Sequence, residues 1–398
     1  MQIDHITFSK TGGAGIVAHT IANAQRELGH DVNVLTVVDS DLRSQPLRAP
    51  VLTIAAAADE WLAASHSEKT LFSPLRGNLE ALDTRRIRPE SIIHLHWMAG
   101  LLNQESLRNL LDSGRKIVWT MHDMNPFTGG CHHSHACKEF TGGCSGCPQA
   151  KSVFQKFVSI NLTKKKLNKE YPNLRIVSPT SWMGEQAKMS SVFRDQDCSV
   201  IGNPISELYF SEASRLSAKE KHGLSSSDFV VVVIAKDLID PNKNIGFILK
   251  AIEQASALTE LRLTLLLVGK NGGSYSSKLV NVRWVGELTS AQIAEVAGAA
   301  DALLSASIAE SAGMTIVECA AMGVPSIALE NGGTASLITH GETGLLAKDM
   351  ESFVSSVVTL AKDNSLLAKF GKAAKQKAIS HKPHQIANSY IELYKSMS

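Results

Sequence analysis

Glu310 and Glu318 bracket a glycine and the start of a helical pattern in "ASIAESAGMTIVECAAMGVPSIALENGG", residues 306–333. Glu310 falls in the loop after a strand, Gly313 permits close backbone approach, and the helix begins near Met314 with Glu318 in its second turn. The amides of Gly313, Met314 and Thr315 then stand at a positive helix end that holds anions, while carboxylates accept paired hydroxyls. That geometry suits a nucleotide sugar, with the diphosphate on the amides, sugar hydroxyls on Glu310 and ribose hydroxyls on Glu318. On spacing alone, the competing reading makes Glu318 a helix surface charge and Glu310 an ordinary first-turn acid. Upstream, "VIAKDLIDPNKNIGFILKA" (233–251) ends a buried strand at Lys236 and reaches Lys243 just before a helix. Both ammonium groups would emerge at the same sheet edge, where positive charge can offset the charge that builds on a departing diphosphate. Taken singly, two lysines are solvated more often than catalytic.

A second group lies further toward the N-terminus. His122 ends the strand "KIVWTMH" and is followed by Asp123, a candidate acceptor contact, and the His122 imidazole can bond a sugar hydroxyl or aid proton transfer from an acceptor. His94 and His96 in "HLHW" share one face of the preceding strand, His96 as a candidate acceptor contact and His94 as a structural residue. Directly after His122 come Cys131, Cys137, Cys144 and Cys147, spaced C-x5-C-x6-C-x2-C. The last pair makes a good zinc knuckle, although the first is wider than the usual spacing; an iron–sulfur cluster or buried free thiols are the other readings. The loop "SKTGGAG" (9–15) between a first strand and a helix offers glycine amides, Gly13 among them, to a ligand. It reads G-G-x-G rather than G-x-G-x-x-G, and Asp39 and Asp41 sit loosely for ribose recognition, so a plain tight turn is the competing reading.

The elements that must position these residues are short apolar runs alternating with helical patterns, from "HITFS" (5–9), "DVNVLTVV" (31–38), "SIIHLHW" (91–97) and "RKIVWTMH" (115–122) onward. The pattern restarts after "VIGNPIS" (200–206) with "DFVVVVIA", "LRLTLLLVG", "NVRWVG", "DALLSAS", "VPSIALE" and "TGLLAK". Runs buried on both faces predict parallel strands crossed by helices, and so two doubly wound α/β domains in series, with the ligand expected beyond the strand C-termini in the crevice between them. The 398 residues, 44% hydrophobic and 20% charged, exceed what one core usually holds. A net charge of +2 gives no reason to expect nucleic acid as a partner. The N-terminal stretch lacks a signal-peptide pattern and no apolar run approaches membrane-spanning length, so a cytoplasmic location is expected, where clustered thiols favour metal over disulfide. "RSQPLRAP" (43–50) and "NGGSYSSK" (271–278) read as loops.

Glu310 and Glu318 as an E-x7-E motif, together with Lys236 and Lys243, the "VGELT" strand end (285–289), "NGG" (331–333) and "HGETGLLAK" (340–348), resemble a retaining glycosyltransferase of family four with the GT-B fold. The resemblance covers nearly the whole chain. It implies two Rossmann-like domains, an acceptor domain at 1–203 with a cysteine-rich insertion at 124–150 and a nucleotide-sugar donor domain at 204–380, and a helix at 381–398 that crosses back to the first domain. It implies that Lys236 and Lys243 grip the donor diphosphate, with Lys236 where the family usually has arginine, a point charge in place of a bidentate fork. It places Gly13 at the donor phosphates and His122 beside the reacting sugar. The cysteine stretch as a whole, from "HDMNPFTGGC" (122–131) through Cys137 to "CSGCPQ" (144–149), resembles a subset of these transferases that act in bacterial surface-polysaccharide assembly.

The expected activity is transfer of a sugar from a nucleoside diphosphate sugar to a hydroxyl acceptor, saccharide or lipid-linked, with retention of configuration. No PLP or NAD is expected, and a structural zinc is expected on the four cysteines. The basic pattern "KSVFQKFVSINLTKKKLNKEY" (151–171), with Lys151, Lys156, Lys164, Lys165, Lys166 and Lys169, reads as a solvated helix face or a helix resting peripherally on an anionic membrane. The alternatives are a degenerate GT-B sugar-binding or scaffold protein, which intact Glu310, Lys243, Glu318 and His122 argue against, and an NAD-type oxidoreductase, disfavoured by the missing fingerprint.

Overall fold

The computed structural model describes residues 1–36, 54, 57–58, 61, 71–73, 84–167, 170–211 and 215–397. Asp39, Asp41, Lys169, the loop at 43–50 and the end of the run at 31–38 lie outside the described residues. The chain divides into two units, Met1–Pro204 with Pro383–Ser398, and Ile205–Lys382.

In the first unit β1 (Gln2–Ile6), β2 (Asp31–Leu35), β3 (Ile92–Leu95), β4 (Ile117–Thr120), β5 (Leu174–Ser178) and β6 (Cys198–Val200) form a parallel sheet in the order β2-β1-β3-β4-β5-β6. Ile3, Ile93, Ile117, Val118, Leu174 and Ile176 are fully buried, as strands covered by helices on both faces require. The register sets His5 beside His94, and both side chains are buried. The helix Pro383–Ser396 packs on the helix Gly13–Glu27, and its Tyr390 and Tyr394 are fully buried, each contributing roughly 1.5–3 kcal/mol by apolar burial.

In the second unit β7 (Phe229–Asp237), β8 (Leu263–Lys270), β9 (Asn281–Gly286), β10 (Ala302–Ser305), β11 (Ser326–Leu329) and β12 (Gly344–Ala347) form a parallel sheet ordered β12-β11-β10-β7-β8-β9. The order reverses between β7 and β10, the Rossmann arrangement, and the switch point leaves a crevice beyond the carboxyl ends of those two strands. Local signals agree with the elements: Thr289 with Gln292, and Asp349 with Ser352, form capping boxes at the helices Ser290–Gly298 and Met350–Lys362.

Candidate functional site

Beyond β7 and β10 two loops meet. The first, after β7, makes a single turn over Pro241–Lys243, capped by the Asp240 side chain accepting from the Asn242 amide at 2.9 Å. The second, after β10, carries Glu310 and Gly313. Asn242 ties them: its Nδ2 donates to the Ala309 carbonyl, its Oδ1 accepts from the Ala309 amide, and its own carbonyl accepts from the Ile308 amide, each at 2.8 Å. So held, Lys243 Nζ lies 3.0 Å from Glu310 Oε2, with both side chains only partly exposed. From the far side the Gly333 amide donates to the Glu310 carbonyl at 2.7 Å and Asn331 Nδ2 to the Ser307 carbonyl at 3.2 Å. A Cβ on Gly333 would stand 2.4 Å from the Ser311 carbonyl oxygen, so only glycine lets these backbones touch.

Gly313, at φ 49°, caps the helix Met314–Ala321 without a side-chain cap, and the first helical amides have no partner within the helix. Lys243, Glu310, Gly313, Met314 and Thr315 therefore gather at one switch point, a cation and a positive helix end around one carboxylate. Lys236 is exposed at the end of β7. Glu318 is partly buried in the second helical turn and accepts from the Tyr209 hydroxyl. Burial pushes its carboxyl up to about 7, the hydrogen bond from Tyr209 opposing the shift. Neither Asn242 nor Tyr209 is distinguished by sequence spacing. The one signal was that Asn242 lies beside Lys243 in a Pro-initiated turn.

A cavity of about 930 Å³ in the second unit lies at the other edge of this sheet, lined by Asp228, Phe229, Leu261 and Asp301 at strand beginnings. Ligands of doubly wound sheets bind at strand carboxyl ends, so size does not make it the site.

In the first unit, His96 is buried, and its ring nitrogens are both engaged, Nε2 with His5 Nδ1 at 2.9 Å and Nδ1 with His122 Nε2 at 3.0 Å. As a direct acceptor contact His96 is therefore corrected: it has no ring nitrogen left to offer. His94 is structural, bonded to Tyr394 at 2.7 Å and Thr120 at 2.8 Å. His122, half-buried, lines a recess of about 30 Å³ with Trp97, Met98, Trp119, Asp123 and His132. Burial holds the His122 imidazole down at about 4, with Asp123 opposing. Asp123 is also buried, and both its oxygens are in use, Oδ2 with His132 Nδ1 at 2.7 Å and Oδ1 with the Asn125 amide at 2.8 Å. Burial would raise its pKa, but the His132 charge and hydrogen bond prevail and hold it below the ordinary carboxylate value. Through these two bonds the Asp123 carboxylate braces the loop while it lines the same recess as His122.

Gly13 starts the helix Gly13–Glu27 with open space around it. The loop needs its glycine at Gly15, where a Cβ would stand 2.2 Å from the Ser9 carbonyl oxygen. Cys131, Cys137, Cys144 and Cys147 are free thiols lining one cavity of about 10 Å³. Burial and mutual repulsion push the Cys144 thiol up to about 11, with Cys131 and Cys147 also raised. Tetrahedral zinc at ~2.3 Å from each sulfur needs them about 3.8 Å apart. Among the described residues, however, only His5, His94 and His96 bring three such ligand atoms within 4.8 Å of one another. All six nitrogens of that trio are already hydrogen-bonded, to Gln25, Tyr394, Thr120, His122 or each other.

Lys165 corrects the reading of 151–171 as an all-solvated basic face. It is buried, its Nζ donating to the Asn125 and Thr128 carbonyls at 2.6 and 3.0 Å, and burial pushes its pKa down to about 8. The helix Gln155–Lys165 also buries Val158 and Leu162 in the core of the unit, so its apolar side is already occupied.

The two doubly wound sheets define an α/β GT-B fold, and solved structures share it. A sucrose-phosphate synthase from Thermosynechococcus elongatus aligns with TM-score 0.66 and 17% identity over 99% of this chain and 98% of that one. The Anabaena protein HepE in complex with UDP and glucose aligns with TM-score 0.59 and 18% identity over the whole of both chains. The family model for glycosyl transferases group 1 matches residues 229–363, which carry Lys243, Glu310 and Glu318. The N-acetyl-alpha-D-glucosaminyl L-malate synthase of Bacillus anthracis is 26% identical over 212 residues, 50% of this chain and 54% of that synthase. In fold, and in the sequence of its second unit, the chain is thus similar to the glycosyl transferases of group 1.

Proposed function

We propose that the protein is a retaining glycosyltransferase that moves a sugar from a nucleoside diphosphate sugar to a hydroxyl of a saccharide or lipid-linked acceptor, in polysaccharide or glycolipid assembly. The observation that carries this reading is the Lys243–Glu310 pair, 3.0 Å apart at the switch point beside the open amides of Met314 and Thr315. Those amides and Lys243, with Lys236 and Gly13, are assigned to the diphosphate, Glu310 to the sugar hydroxyls and Glu318 to the ribose. A leaving diphosphate gains negative charge as the anomeric C–O bond breaks. Lys243 and the helix end stabilise that charge while the acceptor oxygen bonds the anomeric carbon on the same face and gives its proton to the departing phosphate oxygen.

His122 is assigned a hydroxyl of the reacting sugars. That HepE was solved with UDP and glucose supports a uridine-linked donor. Among the described residues no helix is long and apolar enough to cross a membrane. A cytoplasmic enzyme with peripheral contact at the inner face, through exposed Lys156 and Lys164, fits a lipid-linked acceptor. The cysteine stretch is assigned a structural metal, which requires the four thiols to draw closer around their shared cavity. Incubation with a panel of nucleotide sugars and monosaccharide or lipid acceptors tests the activity. Release of nucleoside diphosphate with formation of an α-linked product from an α-linked donor is expected, and an inverted product or no transfer from any donor overturns the reading.

A further inference from the structure

We infer that Gln25 directs a chain of neutral imidazoles, His5, His96 and His122, that leaves the Nδ1 lone pair of His122 as a fixed acceptor for one ligand hydroxyl. The inference rests on the reading of His122 as a ligand contact, and it makes Gln25, His5 and His96 positioning residues.

The chain is continuous. Gln25 Oε1 lies 2.8 Å from His5 Nε2, His5 Nδ1 lies 2.9 Å from His96 Nε2, and His96 Nδ1 lies 3.0 Å from His122 Nε2. A carbonyl oxygen cannot donate, so the proton of His5 sits on Nε2. A neutral imidazole has one donor and one acceptor nitrogen, so His5 Nδ1 accepts from His96 Nε2–H, and His96 Nδ1 accepts from His122 Nε2–H. His122 is left with Nδ1 unprotonated, and that nitrogen has no protein partner among the described residues. The recess that His122 lines, about 30 Å³, has room for one hydroxyl-sized group.

The direction depends on which way the Gln25 amide faces, and a second branch holds it. Gln25 Nε2 donates to the Tyr394 hydroxyl at 3.3 Å, which donates to His94 Nδ1 at 2.7 Å; His94 Nε2–H then donates to Thr120 Oγ1 at 2.8 Å, and that hydroxyl to Tyr390 at 2.8 Å. Turning the amide over would reverse every bond in both branches. Tyr394 would then have to donate to an oxygen over 3.3 Å, against ~2.7–2.8 Å for an ordinary O–H···O bond. Neutrality is what makes the chain directional, and burial enforces it by lowering His5 and His122 to about 4 and His94 and His96 far below the ordinary imidazole value. The other titratable groups facing the chain are Asp4, His19, Arg26 and Asp123.

Two variants of the full chain, made with isotope-labelled histidine, test this. Two-bond nitrogen–proton correlations report each ring's tautomer, assigned by replacing single histidines. In the parent protein His5, His94, His96 and His122 are expected as Nε2–H tautomers together. Gln25→Leu removes the anchor, so His5, His96 and His122 should become mixtures, with kcat/KM for transfer falling about 10-fold, the worth of one hydrogen bond. Gln25→Glu keeps an acceptor toward His5 but takes the proton of Tyr394. The chain should stay Nε2–H and transfer near neutral pH should recover to within about 3-fold, while His94 alone moves its proton to Nδ1.

Because the carboxylate also favours imidazolium, activity in Gln25→Glu should fall toward acid pH where the parent profile is flat. A merely structural amide would make the buried charge of Glu the worse replacement, so a Glu variant slower than Leu overturns the proposal. So does a parent His122 that carries its proton on Nδ1. If His122→Ala transfers sugar at the parent rate while the tautomers are as expected, the assignment of His122 to the ligand fails and the directed chain stands.

Discussion

Asn242 is the clasp on which the Lys243–Glu310 pair depends, and Asn242→Ala measures it. The substitution deletes two 2.8 Å side-chain bonds to Ala309, a residue only 8% exposed, and so strands one amide and one carbonyl. Each such bond is worth about 1 kcal/mol net, more where no water reaches the abandoned group, which sets the expected loss at about 2 kcal/mol. In a unit of this size that lowers the melting transition by about 4–8 °C. The rate should suffer more than the stability. Glu310 follows Ala309 directly, and a displacement of about 1 Å in a reacting constellation costs on the order of 100-fold. Calorimetry of the transition of the second unit and nucleotide release on saturating donor and acceptor give the two quantities. Asn242→Asp keeps the acceptor toward the Ala309 amide but sets a carboxylate oxygen against the Ala309 carbonyl, and should be no better than alanine. A variant that melts lower yet turns over within about 2-fold of the parent would refute the argument, because the loop would then hold Glu310 without its clasp.

Lys243→Ala and Glu310→Gln should each abolish most transfer while leaving the fold intact, since both lie in loops and are partly exposed; near-parent turnover in either sinks the donor-site assignment. Glu318, with its pKa raised to about 7, contributes stability that is complete below the ordinary carboxyl value and lost as pH rises through 7. The melting temperature of the parent should therefore fall from pH 5 to 8 more than that of Glu318→Gln. Donor affinity should instead rise through pH 7, because the ionised form accepts both ribose hydroxyls, and an unchanged KM across that range would contradict the ribose role. Elemental analysis of protein purified without added metal should find one zinc, lost in Cys144→Ser and Cys147→Ser, while four thiols freely titratable in the native protein would leave the loop metal-free.

Much of the second unit was legible along the chain because its signals are local. Valine and leucine runs, buried at Val230–Val233 in β7 and Leu265–Leu267 in β8, announce a parallel sheet covered on both faces, and Glu310, Gly313 and Glu318 sit at fixed offsets from one strand and one helix. A strand end and a helix start specify where those groups stand whatever else the chain does. What spacing could not convey is which distant groups meet. That Asn242 clasps Ala309, that Tyr209 reaches Glu318, and that Lys165 leaves solvent for two loop carbonyls are outcomes of packing between segments far apart in sequence. The histidines show the division most clearly. Alternation in "HLHW" puts His94 and His96 on one face, but only the parallel register of β1 with β3 sets His5 between them and Gln25, and only the returning C-terminal helix brings Tyr390 and Tyr394 to orient them. Sequence decided the residue types and their local geometry. Tertiary structure decided their partners, burial and protonation, because those depend on groups that side-chain periodicity along one segment does not reach.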